Sequence, residues 1–176
     1  MAQRQIDFQP FEWPANGSIV VPVQEGDVLK GLAASLDSRT EGAISLAVAE
    51  AQFTGAKNKT LTLFGIKPYS RIDLIGVGPG TVDRVAAEEF GGIAASLNDG
   101  KSGTTISLLW SGINREAEAT GARVAFGYRL RDYRFDRYQE DRLDPGTRST
   151  ITVLSPEEDA AQQFEEDLEH VAAGVY

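Results

Sequence analysis

Short β-branched runs alternate along the chain with longer stretches of helical period. Ser18–Val23 (SIVVPV) is a β-branched run stopped by Glu25-Gly26 and predicts a strand. Glu41–Gln52 places Ile44, Ala47, Val48 and Ala51 on one helical face. Thr60–Phe64 alternates polar and apolar until Gly65, and Arg71–Val77 predicts a further strand closed by Gly76, Gly78 and Gly80. Thr81 is the candidate N-cap of a helix carrying Val82, Val85, Ala86, Ile93, Ala94 and Leu97 along one face, with Asn98-Asp99-Gly100 as its stop. Thr104–Trp110 predicts a strand, Asn114 to Leu130 a helix, Glu140–Arg148 a polar loop, and Thr150–Leu154 the last β run. Ser155-Pro156-Glu157-Glu158 has the pattern of a capping box and predicts the start of a long final helix. Strands interleaved with helices imply an α/β fold with a largely parallel or mixed sheet.

At 176 residues the length suits one domain that can bury a core without a metal or disulfide staple. Without cysteine, disulfides, thiolate metal sites and a cysteine nucleophile are excluded. The amino terminus has no apolar run of signal-peptide length and no transmembrane stretch follows, so the expected location is cytoplasmic and without membrane. The sequons at Asn16 and Asn58 then carry no glycan. A formal charge of −9 opposes attraction to phosphate backbones and anionic lipid.

Three features invite a chemical reading. The loop Gly76-Val77-Gly78-Pro79-Gly80 lies between a strand and a helix, where backbone amides can meet a phosphate. Its third fingerprint glycine would fall at Thr81 and no Walker lysine follows, so a tight turn is the preferred reading. Gly76, Gly78 and Gly80 remain a candidate ligand loop, with Asp73 and Tyr69 near in sequence as an acid and an aromatic for an adenine group. The stretch Tyr128–Arg142 interleaves five arginines with aromatics, as single-strand nucleic-acid binders do, but four acids leave it one net positive charge. That balance speaks against nucleic acid and for buried aromatics under an ion-paired surface. His170, the only histidine, follows Glu166 by four residues, the spacing of a solvated helix-surface pair. The paired acids Glu88-Glu89, Glu157-Glu158 and Glu165-Glu166 are helix neighbours that diverge, and neither a nucleophile elbow nor a zinc-binding His-Glu-x-x-His occurs. The residues alone therefore indicate no catalytic, cofactor or metal site.

Three segments stand out together: Leu36-Asp37 with Glu41-Gly42-Ala43-Ile44 running on to Ala51-Gln52-Phe53-Thr54-Gly55; Leu74-Ile75-Gly76-Val77-Gly78; and Gly127-Tyr128-Arg129-Leu130 leading into Tyr133-Arg134-Phe135-Asp136-Arg137-Tyr138. Together they resemble the amino-terminal domain of the leucine (cytosol) aminopeptidase family. The last run is the most specific, and its role is read as structural. Gln139 stands where the family usually has Lys, and Arg131 where a small residue is common. The resemblance implies a macro-domain-like mixed sheet flanked by helices over 1–154, and a helix over 155–176 leading towards a catalytic domain. The family's metal ligands and its Asn-Thr-Asp-Ala-Glu-Gly-Arg motif belong to that second domain, and nothing in the chain matches them. The chain is thus expected to be a fragment or truncated product, inactive alone and free of cofactor. Its parent would be a homohexameric exopeptidase using two zinc or manganese ions in the catalytic domain of the same polypeptide. The alternative is a free-standing macro-like module binding a nucleotide or ADP-ribose-type ligand at Gly76–Gly80.

Overall fold

The computed structural model describes residues 4–98, 104–136 and 149–174. Among these residues six strands, β1 (Ile6–Pro10), β2 (Gly17–Gln24), β3 (Thr60–Phe64), β4 (Tyr69–Gly78), β5 (Thr105–Leu109) and β6 (Thr150–Ser155), form one sheet in the order β1-β6-β5-β2-β4-β3. All neighbours pair in parallel except β3 with β4, which are antiparallel. Among the described residues five helices cover the sheet: α1 (Leu32–Arg39), α2 (Ala43–Ala51), α3 (Arg84–Leu97), α4 (Gly121–Asp136) and α5 (Ala160–Gly174). The expected macro-domain-like architecture, a mixed sheet flanked by helices, is the one found.

The two-residue period of the strands sets the layers. On β2, Ile19, Val21 and Val23 face α1 and α2, where Leu32, Leu36 and Ile44 complete one core. Val20 points the other way, into a larger core with Ile75, Ile106, Leu108 and Ile151 from the strands and Phe90, Val124, Tyr128 and Phe164 from α3, α4 and α5. Helices α3 and α4 approach closely because both carry glycine at their crossing. A Cβ on Gly91 would collide with the Val124 carbonyl, and one on Gly127 with the Glu88 carbonyl.

Three predicted helix starts are corrected. Helix α3 is capped by Asp83, whose carboxylate accepts from the Ala86 N–H at 2.8 Å, and not by Thr81. Helix α4 begins at Gly121 instead of near Asn114, because the preceding backbone bonds to the lead-in of α3. The Val82 N–H donates to the Asn114 carbonyl and the Glu116 N–H to the Val82 carbonyl, both at 2.8 Å. Ser155 is no N-cap: it is buried, stands opposite Pro10 as the last residue of β6, and α5 starts at Ala160. Strand β1 and helix α1 lie in stretches to which the hydrophobic pattern assigned no element. The predicted loop at Glu140–Arg148 and the stop at Asp99-Gly100 lie outside the described residues.

Candidate functional site

In open α/β sheets ligands enter at the carboxyl ends of the parallel strands. Here those ends are Pro10, Gln24, Gly78, Leu109 and Ser155, and the predicted glycine loop lies among them. Two of its amides are already engaged by the segment before β3. The Gly76 N–H donates to the Lys59 carbonyl at 2.7 Å, and the Gly78 N–H to the Gly55 carbonyl at 3.2 Å. A Cβ at Gly76 would stand 2.6 Å from the Gly55 carbonyl carbon, so glycine there admits the chain's own backbone. Gly78 and Gly80 have φ of +81° and +74°, and Gly80 faces open space.

The mouth of this edge is narrowed by contacts through Gln24, Gly31 and Gly112, which the sequence did not single out. The Gln24 amide donates to the Gly80 carbonyl, while its oxygen accepts from the Asn114 N–H at 3.0 Å. The Asn114 side-chain amide in turn donates to the Thr81 hydroxyl at 3.2 Å. Gly31, immediately before α1, lies against Gly112 after β5 so tightly that a Cβ would collide with the Gly112 carbonyl. A Cβ at Gly55 would be 2.7 Å from the Gln24 carbonyl oxygen. Gly80 in the candidate loop and Gly55 in the family segment were already visible, and Gly31 directly before the apolar repeat Leu32, Ala33, Leu36 was a further local signal.

Asp73 and Tyr69 are turned to structural use. Asp73 is fully buried and accepts a fork from Arg71, at 2.9 and 3.1 Å, with a third bond from the Thr62 hydroxyl at 2.6 Å. Tyr69 is buried and donates to the Pro14 carbonyl at 3.1 Å; burial pushes its phenol up from the ordinary value, against a smaller opposing pull from Arg39.

The arginine-rich stretch is likewise woven into the fold. Arg129 donates to the Arg4 carbonyl at 2.8 Å and Arg131 to the Ser96 hydroxyl at 3.1 Å. Arg4 donates to the buried Tyr128 hydroxyl at 2.9 Å and lies 3.6 Å from Asp132. Tyr133 is half exposed on α4; the side chains of Arg134, Phe135 and Asp136, and the whole of Arg137 and Tyr138, lie outside the described residues. His170 is exposed on α5, and Glu166 bonds Gln162 at 2.8 Å. Glu88 and Glu89 diverge, the first to Arg84 and Arg123, the second to Lys57 at 2.9 Å. Glu157 pairs with Arg115 and accepts from the Gly121 N–H at 3.3 Å, so it caps α4. Among the described residues no group of three His, Cys, Asp or Glu is placed to hold a metal, and no helix is long and apolar enough to cross a membrane.

Comparison with known proteins gives this scaffold a lineage. A "Probable cytosol aminopeptidase" of Caulobacter vibrioides is 35% identical over 141 residues, covering 77% of this chain and 28% of that protein. The chain spans about a third of the length of such curated relatives, 35% in the case of the Rhodopseudomonas palustris protein. A mutant of tomato leucine aminopeptidase has the same fold with a TM-score of 0.74 at 20% identity, covering 98% of this chain and 37% of that one. A Trypanosoma brucei macrodomain shares the fold with a TM-score of 0.56 at 14% identity, over 93% of this chain and 69% of that one. The model of the cytosol aminopeptidase family, N-terminal domain, matches residues 20–142, and the chain belongs to that family as its amino-terminal domain.

Proposed function

We propose that the chain serves as the non-catalytic domain of a metal-dependent leucyl aminopeptidase, shaping access to the active site and contributing to assembly. The observation that carries this reading is the extent of the match: 97% of this chain aligns with only 35% of a curated relative. The carboxyl edge supports it, since the backbone approaches of Gly31 to Gly112 and of Gly55 to Gln24 occupy part of the place where an α/β domain of this kind would take a small ligand. Two zinc or manganese ions, held by a catalytic domain of the same polypeptide, would supply the water that attacks the scissile carbonyl. The whole enzyme would be a homohexamer.

The isolated chain, given a leucine chromogenic amide with manganese or zinc, should release nothing above buffer. Grafted in place of the matching third of the Caulobacter relative, it should preserve assembly and hydrolysis. A chimera whose catalytic portion folds but neither assembles nor turns over would overturn the reading.

The second reading, a nucleotide or ADP-ribose module, draws on the position of Gly76–Gly80 and on the fold shared with a macrodomain recorded in complex with ADP-ribose. A ligand at a hundredfold excess over its dissociation constant would stabilise the domain by about 2.7 kcal/mol. On the first reading ADP-ribose leaves the thermal midpoint unchanged; a rise abolished by Gly78→Val would favour the second.

A further inference from the structure

Charge is unevenly distributed along this acidic chain. From Ala51 to Ile72 it carries Lys57, Lys59, Lys67 and Arg71 and no acid, although the formal total is −9. That stretch contains β3, which lies at one edge of the sheet and among the described residues pairs only with β4.

The antiparallel ladder fixes which backbone groups of β3 face outward. The Gly76 N–H bonds the Lys59 carbonyl at 2.7 Å, and the Gly65 N–H bonds the Ser70 carbonyl at 3.0 Å. Hydrogen-bonded pairs alternate along such a ladder, so the odd-numbered residues of β3 face β4. The N–H and C=O groups of Thr60 and Thr62 point away from it. Two of the four cations are paired with acids, Lys57 with Glu89 at the surface and Arg71 with the buried Asp73. Lys59 and Lys67 are exposed, one at each end of β3.

We propose that the outer edge of β3 takes an extended acidic peptide as an added strand, with Thr60 and Thr62 supplying main-chain bonds and Lys59 and Lys67 attracting its carboxylates. The same lysines oppose the other natural occupant of an open edge, a second copy of this chain. A two-fold pairing centred on Thr62 would set Lys57 opposite Lys67 and bring Lys59 beside the same turn, stacking like charge on like. An acidic strand meets the reverse situation, and its carboxylates offset the exposed lysines at both ends.

The test uses the full chain and two labelled decapeptides, one alternating Thr and Glu and the other Thr and Lys. Fluorescence anisotropy should show saturable binding of the Glu peptide, at least about tenfold tighter than the Lys peptide and weakened by salt. Amide exchange at Thr62 should slow on binding. K59E with K67E, both surface changes, should lower affinity by about fivefold or more. Thr60→Pro should abolish binding with the far-ultraviolet circular dichroism unchanged, because the lost N–H faces away from β4. Equal affinity for both peptides, unaltered exchange at Thr62, or binding that survives both sets of variants would overturn the proposal. So would a concentration-dependent dimer removed by Thr60→Pro, since the edge would then belong to a second copy.

Discussion

Gly31 and Gly112 meet backbone to backbone across the carboxyl edge of the sheet, joining the start of α1 to the loop after β5. Gly31 has φ of +59°, and its missing Cβ is the space into which the Gly112 carbonyl fits. Alanine at 31 must therefore bear both a left-handed backbone and a backbone clash that no rotamer relieves. We expect Gly31→Ala to cost roughly 2–4 kcal/mol. Gly80 has a similar φ of +74° with nothing within 4 Å of the added carbon, so Gly80→Ala should cost only about 1–2 kcal/mol. Urea unfolding of the two variants checks the order. Equal losses would mean that the edge opens readily, and that the seam is not a fixed part of the fold.

Glu157 holds the start of a helix to which it does not belong. Its carboxylate pairs with Arg115 and accepts from the Gly121 N–H, the first residue of α4. Glu157→Ala removes the anion at the positive end of α4 and should cost about 1–3 kcal/mol. Glu158 is exposed, and its alanine variant should stay within about 0.5 kcal/mol of the parent. Chemical denaturation followed by tryptophan emission is a suitable readout, because the Trp110 indole donates to the Ala119 carbonyl just before α4.

These two cases show what a sequence can and cannot carry. Thr60–Phe64 was legible to the residue, since its alternation and the following Gly65 are local. The acids after Ser155 also gave a true local signal, a carboxylate beside a helix start, but the helix served is α4. What redirected it was the pairing of Ser155 with Pro10, a contact spanning most of the chain. Strand β1 alternates Ile6, Phe8 and Pro10 with Asp7 and Gln9 over five residues, but Asp and Pro are poor strand formers and no glycine marks its end. Helix α1 had a readable repeat at Leu32, Ala33 and Leu36, yet its eight residues fall between two stronger elements. The glycine segment was placed correctly between a strand and a helix, but Gly76, Val77 and Gly78 belong to β4 and only Pro79 and Gly80 lie beyond it. Its occupancy by Gly55–Lys59 could not be read, because it depends on where β3 returns to the sheet.

Tyr69 makes stability depend on pH at the alkaline end. Burial raises its phenol above the ordinary 10.0, and the folded chain holds the proton more tightly than the unfolded chain does. Its contribution is complete below pH 10 and disappears as pH rises through the raised value. Lys57 acts in the same direction, its ammonium favoured by the hydrogen bond to Glu89. The urea midpoint of the parent should fall between pH 9 and 11. In Tyr69→Phe the midpoint should start lower, for want of the bond to Pro14, and fall less steeply. A parallel decline in both would show that Tyr69 titrates normally.

Helix α5 is anchored at its start and loose at its end. Ala160 and Phe164 are buried, and the Phe164 ring packs at 5.5 Å from Phe8 with the Arg129 guanidinium 5.9 Å from its face. Leu168, one turn on, is half-buried against the same core, whereas Val171 is exposed and Ala172 and Gly174 lie open beyond it. The apolar stripe thus continues in the sequence past the point where the domain covers it. Phe164→Ala should cost about 3–5 kcal/mol, and Val171→Ala within about 0.5 kcal/mol. Amide exchange should be slow at Phe164 and fast by Val171, because the last turn has little tertiary packing to protect it. In the chimera with the catalytic portion of a relative, protection should extend to Val171 if that portion packs on the open stripe. Slow exchange through Gly174 in the isolated chain would contradict this, and would mean that the far half of α5 is already covered without it.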